Sequence, residues 1–351
     1  MDNTKKLWHE IGADAMLVES SDLRAYLTGF FSSYGFVYTD FEESVFFTDP
    51  RYAEGAKNAL KGERIKVEIA KTPSAVFEYI KAKKIKKLAV PLERITLKEY
   101  EIYKKYKFKL IDAMPAFVKA MGVKSQTEID NISLASKIAE KAYDKLLTEI
   151  KEGVTENQLA ATLEYYMRSF GAQDRSFETI IAFGKNSAVP HHAPNDTKLK
   201  KGMPVLMDFG CKVNGYCSDI TRTVLFGKGE DFQYFEKVYK SVLSAHVIAF
   251  NNIKEGDTGH QADAYARQEL AKSGLDKFFT HSLGHGIGIN IHEYPTLRPN
   301  SKNVLQNGMV FSIEPGVYFE GEFGIRIEDS VCLENGKVKS FMQSDKNLII
   351  L

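Results

Sequence analysis

Four carboxylates in the second half of this chain stand where a carboxylate is costly. Asp208 closes the apolar run Val205-Leu206-Met207, Glu314 follows Val310-Phe311-Ser312-Ile313, and Glu328 follows Ile325-Arg326-Ile327. Asp219 lies within Tyr216-Cys217-Ser218-Asp219-Ile220-Thr221. A carboxylate at the end of a buried strand must be ion-paired, hydrogen-bonded or bound to a cation, because desolvating it alone is prohibitive. For any one of the four, a salt bridge or a turn cap would suffice. Histidines gather in the same half: His191 adjoins His192, and His281, His285 and His292 share one short segment. The step from His281 to His285 matches a helical zinc pair, but Gly284, Gly286 and Gly288 oppose a helix and HExxH is absent. The glycines instead let the backbone beside His285 approach something closely. Without a strand–GxGxxG–helix frame they are not a dinucleotide loop.

A weak internal repeat changes the weight of these residues. Lys151-Glu152-Gly153-Val154-Thr155-Glu156-Asn157-Gln158 returns 103 residues on as Lys254-Glu255-Gly256-Asp257-Thr258-Gly259-His260-Gln261. Gly202-Met203-Pro204-Val205-Leu206-Met207-Asp208-Phe209-Gly210 returns 106 residues on as Gly308-Met309-Val310-Phe311-Ser312-Ile313-Glu314-Pro315-Gly316. In each copy a threonine is placed to cap a helix, which stops near Gly171 or Gly274. Two similar α+β halves related by pseudo-symmetry follow, with Asp208 and Glu314 facing each other across the axis. Four carboxylates converging there without cations would repel one another by roughly several kcal/mol. Two divalent ions would neutralise them, and oxygen ligands with one imidazole suit Mn²⁺, Co²⁺ or Zn²⁺. Two metals about 4 Å apart share a water, lower its pKa and supply a hydroxide near neutral pH. Neutral histidines nearby would donate hydrogen bonds to a tetrahedral intermediate. This is metallohydrolase chemistry with no substrate named.

The elements that position these residues divide into two domains, since 351 residues exceed one compact core. To about Gly122 the chain alternates. Ala15-Met16-Leu17-Val18, Ser44-Val45-Phe46-Phe47 and Leu88-Ala89-Val90 read as buried strands, Tyr52 to Leu60 and Ser74 to Ala82 as helices. Residues 1–122 therefore form a smaller α/β domain and residues 123–351 a larger α+β one. The lysines from Lys81 to Lys87 read as a solvated helix end rather than a nucleic-acid patch. A further helix starts at Thr127, capped with Asp130 three residues on, and buries Ile129, Ile132, Ile138, Ala142 and Leu146.

Composition removes several classes of function. Lys+Arg 47 against Asp+Glu 46 leaves a net charge of +1, without the basic excess of a nucleic-acid binder. Hydrophobic residues at 44% and charged ones at 26% exclude disorder, collagen and coiled coil. No apolar run is long enough to span a membrane, and the start at Met1-Asp2-Asn3-Thr4-Lys5-Lys6 lacks the core of a signal peptide. Cys211, Cys217 and Cys332 lack CxxC spacing, so reduced thiols and a cytoplasmic location are expected. His9, His246 and His260 are isolated and receive no role.

The segments around these acids and histidines closely resemble those of the pita-bread metallopeptidases, the family of methionine aminopeptidase, aminopeptidase P and prolidase. They are Ser176-Phe177 through Pro190-His191, Asp208-Phe209-Gly210, Ser218 through Thr223, His281 through His292, Glu314-Pro315-Gly316 and Gly324 through Asp329. The resemblance implies that Asp219 and Glu328 bridge two metals, that Asp208 binds one, and that His285 with Glu314 binds the other. It places His191 and His292 as substrate-binding and proton-handling histidines, with Glu314 as the base. Arg326 matches the proline-specific branch, and His281 becomes a pocket wall beside the substrate rather than a ligand. His192 is expected only to line the pocket. Tyr26-Leu27-Thr28-Gly29-Phe30 and Phe47 through Tyr52 look like the creatinase-like N-terminal domain of aminopeptidase P and prolidase, which implies a homodimer. The substrate implied is a peptide with proline at the second position. The short chain favours an Xaa-Pro dipeptidase over an aminopeptidase P acting on longer peptides. A non-catalytic peptide- or protein-binding relative is the alternative of another class, opposed by the intact ligand positions. Manganese is the metal expected, with cobalt or zinc as alternatives.

Overall fold

The computed structural model describes residues 7, 8 and 10–351. The opening segment Met1–Lys6, on which the signal-peptide reading rests, and His9 lie outside the described residues. The chain separates into two compact units between Met121 and Gly122.

The first unit is a six-stranded mixed sheet in the order β4-β3-β2-β1-β5-β6. Its strands are β1 (Ala15–Val18), β2 (Phe36–Asp40), β3 (Ser44–Thr48), β4 (Ile65–Ile69), β5 (Lys87–Val90) and β6 (Lys109–Asp112). Helices α1 (Ser21–Thr28), α2 (Pro50–Ala59), α3 (Pro73–Ala82), α4 (Leu97–Lys105) and α5 (Met114–Gly122) run between and after them. β1 is buried along its whole length, as is β5 beyond Lys87, which explains their unbroken apolar runs. The edge strands β4 and β6 carry lysine and acid at exposed positions, so no apolar run marks them. The lysines after α3 are a helix end: Lys83 pairs with Glu43, and Lys81 lies 3.9 Å from Glu78.

The second unit begins with α6 (Gln126–Leu147) and α7 (Glu156–Ser169). The capping residue of α6 is Ser125 rather than Thr127: Glu128 Oε2 accepts from the Ser125 backbone N–H (2.8 Å) and hydroxyl (2.7 Å). A serine followed three residues later by glutamate outcompetes Thr127 with Asp130, whose shorter side chain makes a weaker partner for the start of the helix. Short strands follow, β7 (Asp174–Arg175) and β8 (Ile180–Phe183), then β9 (Met203–Phe209), β10 (Cys211–Val213), β11 (Tyr216–Cys217) and β12 (Ile220–Phe226). Helices α8 (Phe232–Asn252) and α9 (Gly259–Ala271) open the second half. It continues with β13 (Gly284–Gly286), β14 (Glu293–Leu297), β15 (Val310–Ile313), β16 (Gly316–Phe319), β17 (Phe323–Arg326), β18 (Glu328–Glu334) and β19 (Lys337–Ser340).

The repeat is physical. Thr155 and Thr258 each accept from the backbone N–H three residues on, and Gln158 and Gln261 reach back to the two threonine N–H groups. The main sheet runs β14-β13-β15-β18-β12-β9-β8, so β12 and β18 meet at its centre and equivalent strands flank them. Thr221 stands opposite Glu328 there, and opposite Asp208 on the other side. The pita-bread fold, two α+β halves about a pseudo-two-fold, thus brings the acid-bearing ends of both halves together. All three cysteines are free and buried. No helix among the described residues is long and apolar enough to cross a membrane.

Candidate metal centre

Each acid is placed by the strand that precedes or follows it. Asp208 is the penultimate residue of β9, Asp219 immediately precedes β12, Glu314 immediately follows β15, and Glu328 opens β18. Backbone pairing then fixes them: the Ser330 hydroxyl donates to the Asp219 carbonyl (2.7 Å), and the Glu314 N–H donates to the Leu283 carbonyl (2.8 Å). His285 sits in the middle of β13, and its Nδ1–H donates to the Gly286 carbonyl at 3.1 Å. That bond leaves the Nε2 lone pair free, 3.6 Å from Asp219 Oδ2 and 3.5 Å from Glu314 Oε1. A side chain at Gly284 or Gly286 would collide with the Ser312 or Tyr294 carbonyl, so the glycines beside His285 admit the neighbouring strands.

The four acids, the five clustered histidines and Arg326 all line one cavity of about 670 Å³ in the second unit. Asp219, His285 and Glu328 each offer one ligand atom within 4.8 Å of the other two. Arg326 occupies the wall behind them. Its guanidinium donates to Asp208 Oδ2 (2.5 Å), the Tyr318 hydroxyl (2.6 Å) and the Thr221 hydroxyl (3.1 Å), which in turn donates to Glu328 Oε2 (2.6 Å). The Tyr318 hydroxyl donates to His281 Nε2 (2.8 Å), since His281 Nδ1–H is committed to the Ser282 carbonyl (2.8 Å). His281 is therefore held neutral and turned toward Arg326 rather than free to ligate. Its pKa falls to about 3 through burial, with Arg326 adding to the effect.

The charge balance of the pocket calls for a cation. Asp208 Oδ1, Asp219 Oδ1 and Glu328 Oε1 are buried and accept no hydrogen bond. Burial and the neighbouring carboxylates raise the pKa of Asp219 and Glu328 well above the usual range, and burial pushes Glu314 up to about 8. One arginine cannot compensate four converging acids, whereas hard oxygen donors with a single imidazole fit divalent metal. Burial likewise lowers the pKa of His285 to about 4, keeping its nitrogen a lone-pair donor. His292 stacks edge-on against His285, with ring centroids 4.2 Å apart, and His191 lies on the exposed rim.

Sequence patterns in the chain match two family models. Metallopeptidase family M24 covers residues 130–335, and the Creatinase/Prolidase N-terminal domain covers residues 1–120. The chain belongs to metallopeptidase family M24. Among its M24 relatives is the uncharacterized peptidase YqhT of Bacillus subtilis (strain 168), 35% identical over 100% of this chain and 99% of that one. An Xaa-Pro dipeptidase from Bacillus anthracis superposes with a TM-score of 0.94 at 33% identity, over 99% of this chain and 100% of that one. An X-Pro aminopeptidase from Thermotoga maritima MSB8 does so at 0.91 and 32% identity, with the same coverage.

Three contributors to this M24 pocket carry no clear mark in the sequence. Tyr318 and Glu156 act from behind it and Arg298 lines it. Tyr318 has a signal in retrospect: a buried tyrosine two residues beyond Gly316 must find a partner for its hydroxyl. The His192 ring is spoken for by Glu156, at 2.8 Å, as a pocket-lining residue rather than a free catalyst would be.

Proposed function

We propose that this M24 protein is a dinuclear-metal peptidase that hydrolyses the bond preceding proline, with Xaa-Pro dipeptides as its preferred substrates. The observation that carries the peptidase reading is the set of donorless carboxylate oxygens on Asp208, Asp219 and Glu328, which line one cavity with the His285 imidazole. Asp208, Asp219, His285, Glu314 and Glu328 would hold the two ions, and Mn²⁺ is the ion expected. Bound there, the pair supplies a hydroxide nucleophile and polarises the scissile carbonyl. Glu314 would take the proton of the attacking water and pass it on. His292, its pKa lowered by burial, stays neutral and donates its N–H to the developing oxyanion, while His191 binds substrate from the rim. Proline makes the scissile bond a tertiary amide with restricted φ, and the proline preference is supported by the names of the relatives.

Arg298 favours the dipeptide. It lines the pocket and pairs with no carboxylate among the described residues, so it offers an anchor for a C-terminal carboxylate one residue beyond the scissile bond. In a longer peptide that carboxylate lies elsewhere. A cytoplasmic homodimer completes the reading. The test is release of free alanine from Ala-Pro and from Ala-Pro-Ala by Mn²⁺-loaded enzyme, with His285→Ala as control. Release from the dipeptide alone establishes the dipeptidase, and release from the tripeptide moves the assignment to aminopeptidase P. A His285→Ala protein that still turns over would sink the metal assignment.

A further inference from the structure

Glu156 is the first residue of α7 and has no exposed surface, yet no lysine or arginine pairs with it among the described residues. Its Oε1 accepts from the Phe183 backbone N–H (2.7 Å) and the Asn186 side-chain amide (2.8 Å). Its Oε2 accepts from the Asn195 backbone N–H (3.0 Å) and from His192 Nε2 (2.8 Å). The carboxylate only accepts, so the His192 proton resides on Nε2. Four donors thus replace the counter-ion and water that a buried carboxylate otherwise requires. All four come from one stretch, from the end of β8 to Asn195, and His191 lies within it.

His191 makes no side-chain hydrogen bond of its own among the described residues, so its position is set by the main chain on either side. That main chain is also held by its own turns, Val189 N–H to the Asn186 carbonyl and His192 N–H to the Val189 carbonyl (both 3.1 Å), and by Asn157 N–H of α7 to the Asn195 carbonyl (3.1 Å). The Asn186 amide also donates to the Thr197 hydroxyl (3.1 Å), and the Ser187 hydroxyl accepts from Gly324 N–H (2.8 Å) on β17. Glu156 joins the two ends of the stretch directly and through four donors, whereas the Thr197 hydroxyl, which accepts from Asn186 and donates to Asn195 Oδ1 (2.6 Å), links only one side chain from each end. It does not line the cavity, and it contacts none of the five carboxylate and imidazole ligands assigned above.

We propose that Glu156 is a positioning residue that ties Phe183, Asn186, His192 and Asn195 to one carboxylate and so sets where the His191 imidazole meets substrate. The inference rests on the role of His191 proposed above. A helix-capping role alone would affect stability without acting through His191, and non-additivity separates the two.

The experiment compares Mn²⁺-loaded wild type, Glu156→Gln, His191→Ala and the double variant on Ala-Pro, with metal content measured for each. Glutamine keeps the shape but turns an amide N–H₂ toward groups that themselves donate. Glu156→Gln is expected to hold as much Mn²⁺ as wild type while kcat falls roughly ten- to a hundredfold, as for a misplaced group. The double variant should be no slower than His191→Ala. A double variant slower by the whole Glu156→Gln factor, or wild-type kcat in Glu156→Gln, overturns the inference while leaving the function intact. Wild-type turnover by His191→Ala would remove the role of His191 and this inference with it, and metal binding would be untouched. Asn186→Ala, which keeps the carboxylate and loses one donor, gives the same comparison with a smaller fall should Glu156→Gln not fold. Additive losses there count equally against the proposal.

Discussion

On the proposed function a single residue, Arg298, would carry the choice between dipeptide and longer peptide, and its effect can be stated as a ratio. Arg298 faces a pocket otherwise furnished with acids and histidines, where a substrate carboxylate would find no other unpaired cation among the described residues. A hydrogen bond to a charged group contributes about 1.5–3 kcal/mol, or roughly ten- to a hundredfold in binding. Arg298→Ala should therefore raise KM for Ala-Pro by that factor and leave the KM for Ala-Pro amide where it is. Equal losses on both substrates would remove Arg298 from carboxylate recognition. The residue scale is also where the sequence was most and least informative. Asp208, Asp219, Glu314 and Glu328 could be picked out because a carboxylate beside an apolar strand is anomalous in one dimension. Arg298, Tyr318 and Glu156 are ordinary in one dimension: a charged residue after a strand, a tyrosine in a strand and an acid in a first helical turn. Their roles arise only from neighbours more than twenty residues away or on another strand, as with Tyr318 and Arg326 on paired strands.

At the scale of elements, local signals were legible and long-range ones were not. The capped starts of α7 and α9 could be read because a threonine and the glutamine three residues on satisfy each other within one turn. The strands β4 and β6 could not, because their place at the sheet edges leaves lysine and acid in the pattern. Helix α8 adds a case in which packing overrides polarity. His246 is buried in it with Nε2 lacking any partner, and burial lowers its pKa from 6.5 to about 4. Its folded pKa lies below its unfolded one, so the neutral ring contributes stability that is complete above pH 6.5 and lost as pH falls toward 4. The shift amounts to about 3 kcal/mol at most. His246→Leu should then gain on wild type progressively as unfolding by urea is repeated from pH 6.5 down to pH 4.5. A constant difference across that range would show that burial leaves the pKa of the ring unshifted.

The whole molecule ties metal, proton and stability together. Asp219, Glu314 and Glu328 all have pKa values raised by burial in the metal-free protein, Glu314 to about 8. A carboxyl whose folded pKa exceeds its unfolded one stabilises fully below the unfolded value and loses that contribution as pH rises through the folded value. The histidines with lowered pKa, His246, His281 and His285, act in the opposite sense but only below about pH 6.5. Between pH 6.5 and 8 the acids act alone, so the metal-free protein should become less stable as pH rises. Bound cations take the place of those protons, so their affinity increases over the same interval and binding releases protons. The melting temperature of chelator-treated protein is thus expected to fall from pH 6.5 to 8, while that of Mn²⁺-saturated protein holds or rises. The stabilisation follows the ratio of free metal to its Kd, which makes the gap between the two curves widen with pH. Hydrogen exchange locates the effect: chelation should loosen the ends of β9, β12, β15 and β18, which carry the acids, and not β1 or β5. A metal-free protein that gains stability between pH 6.5 and 8 would mean that the four acids are compensated without metal, and that the pocket is a binding site rather than a hydrolytic one.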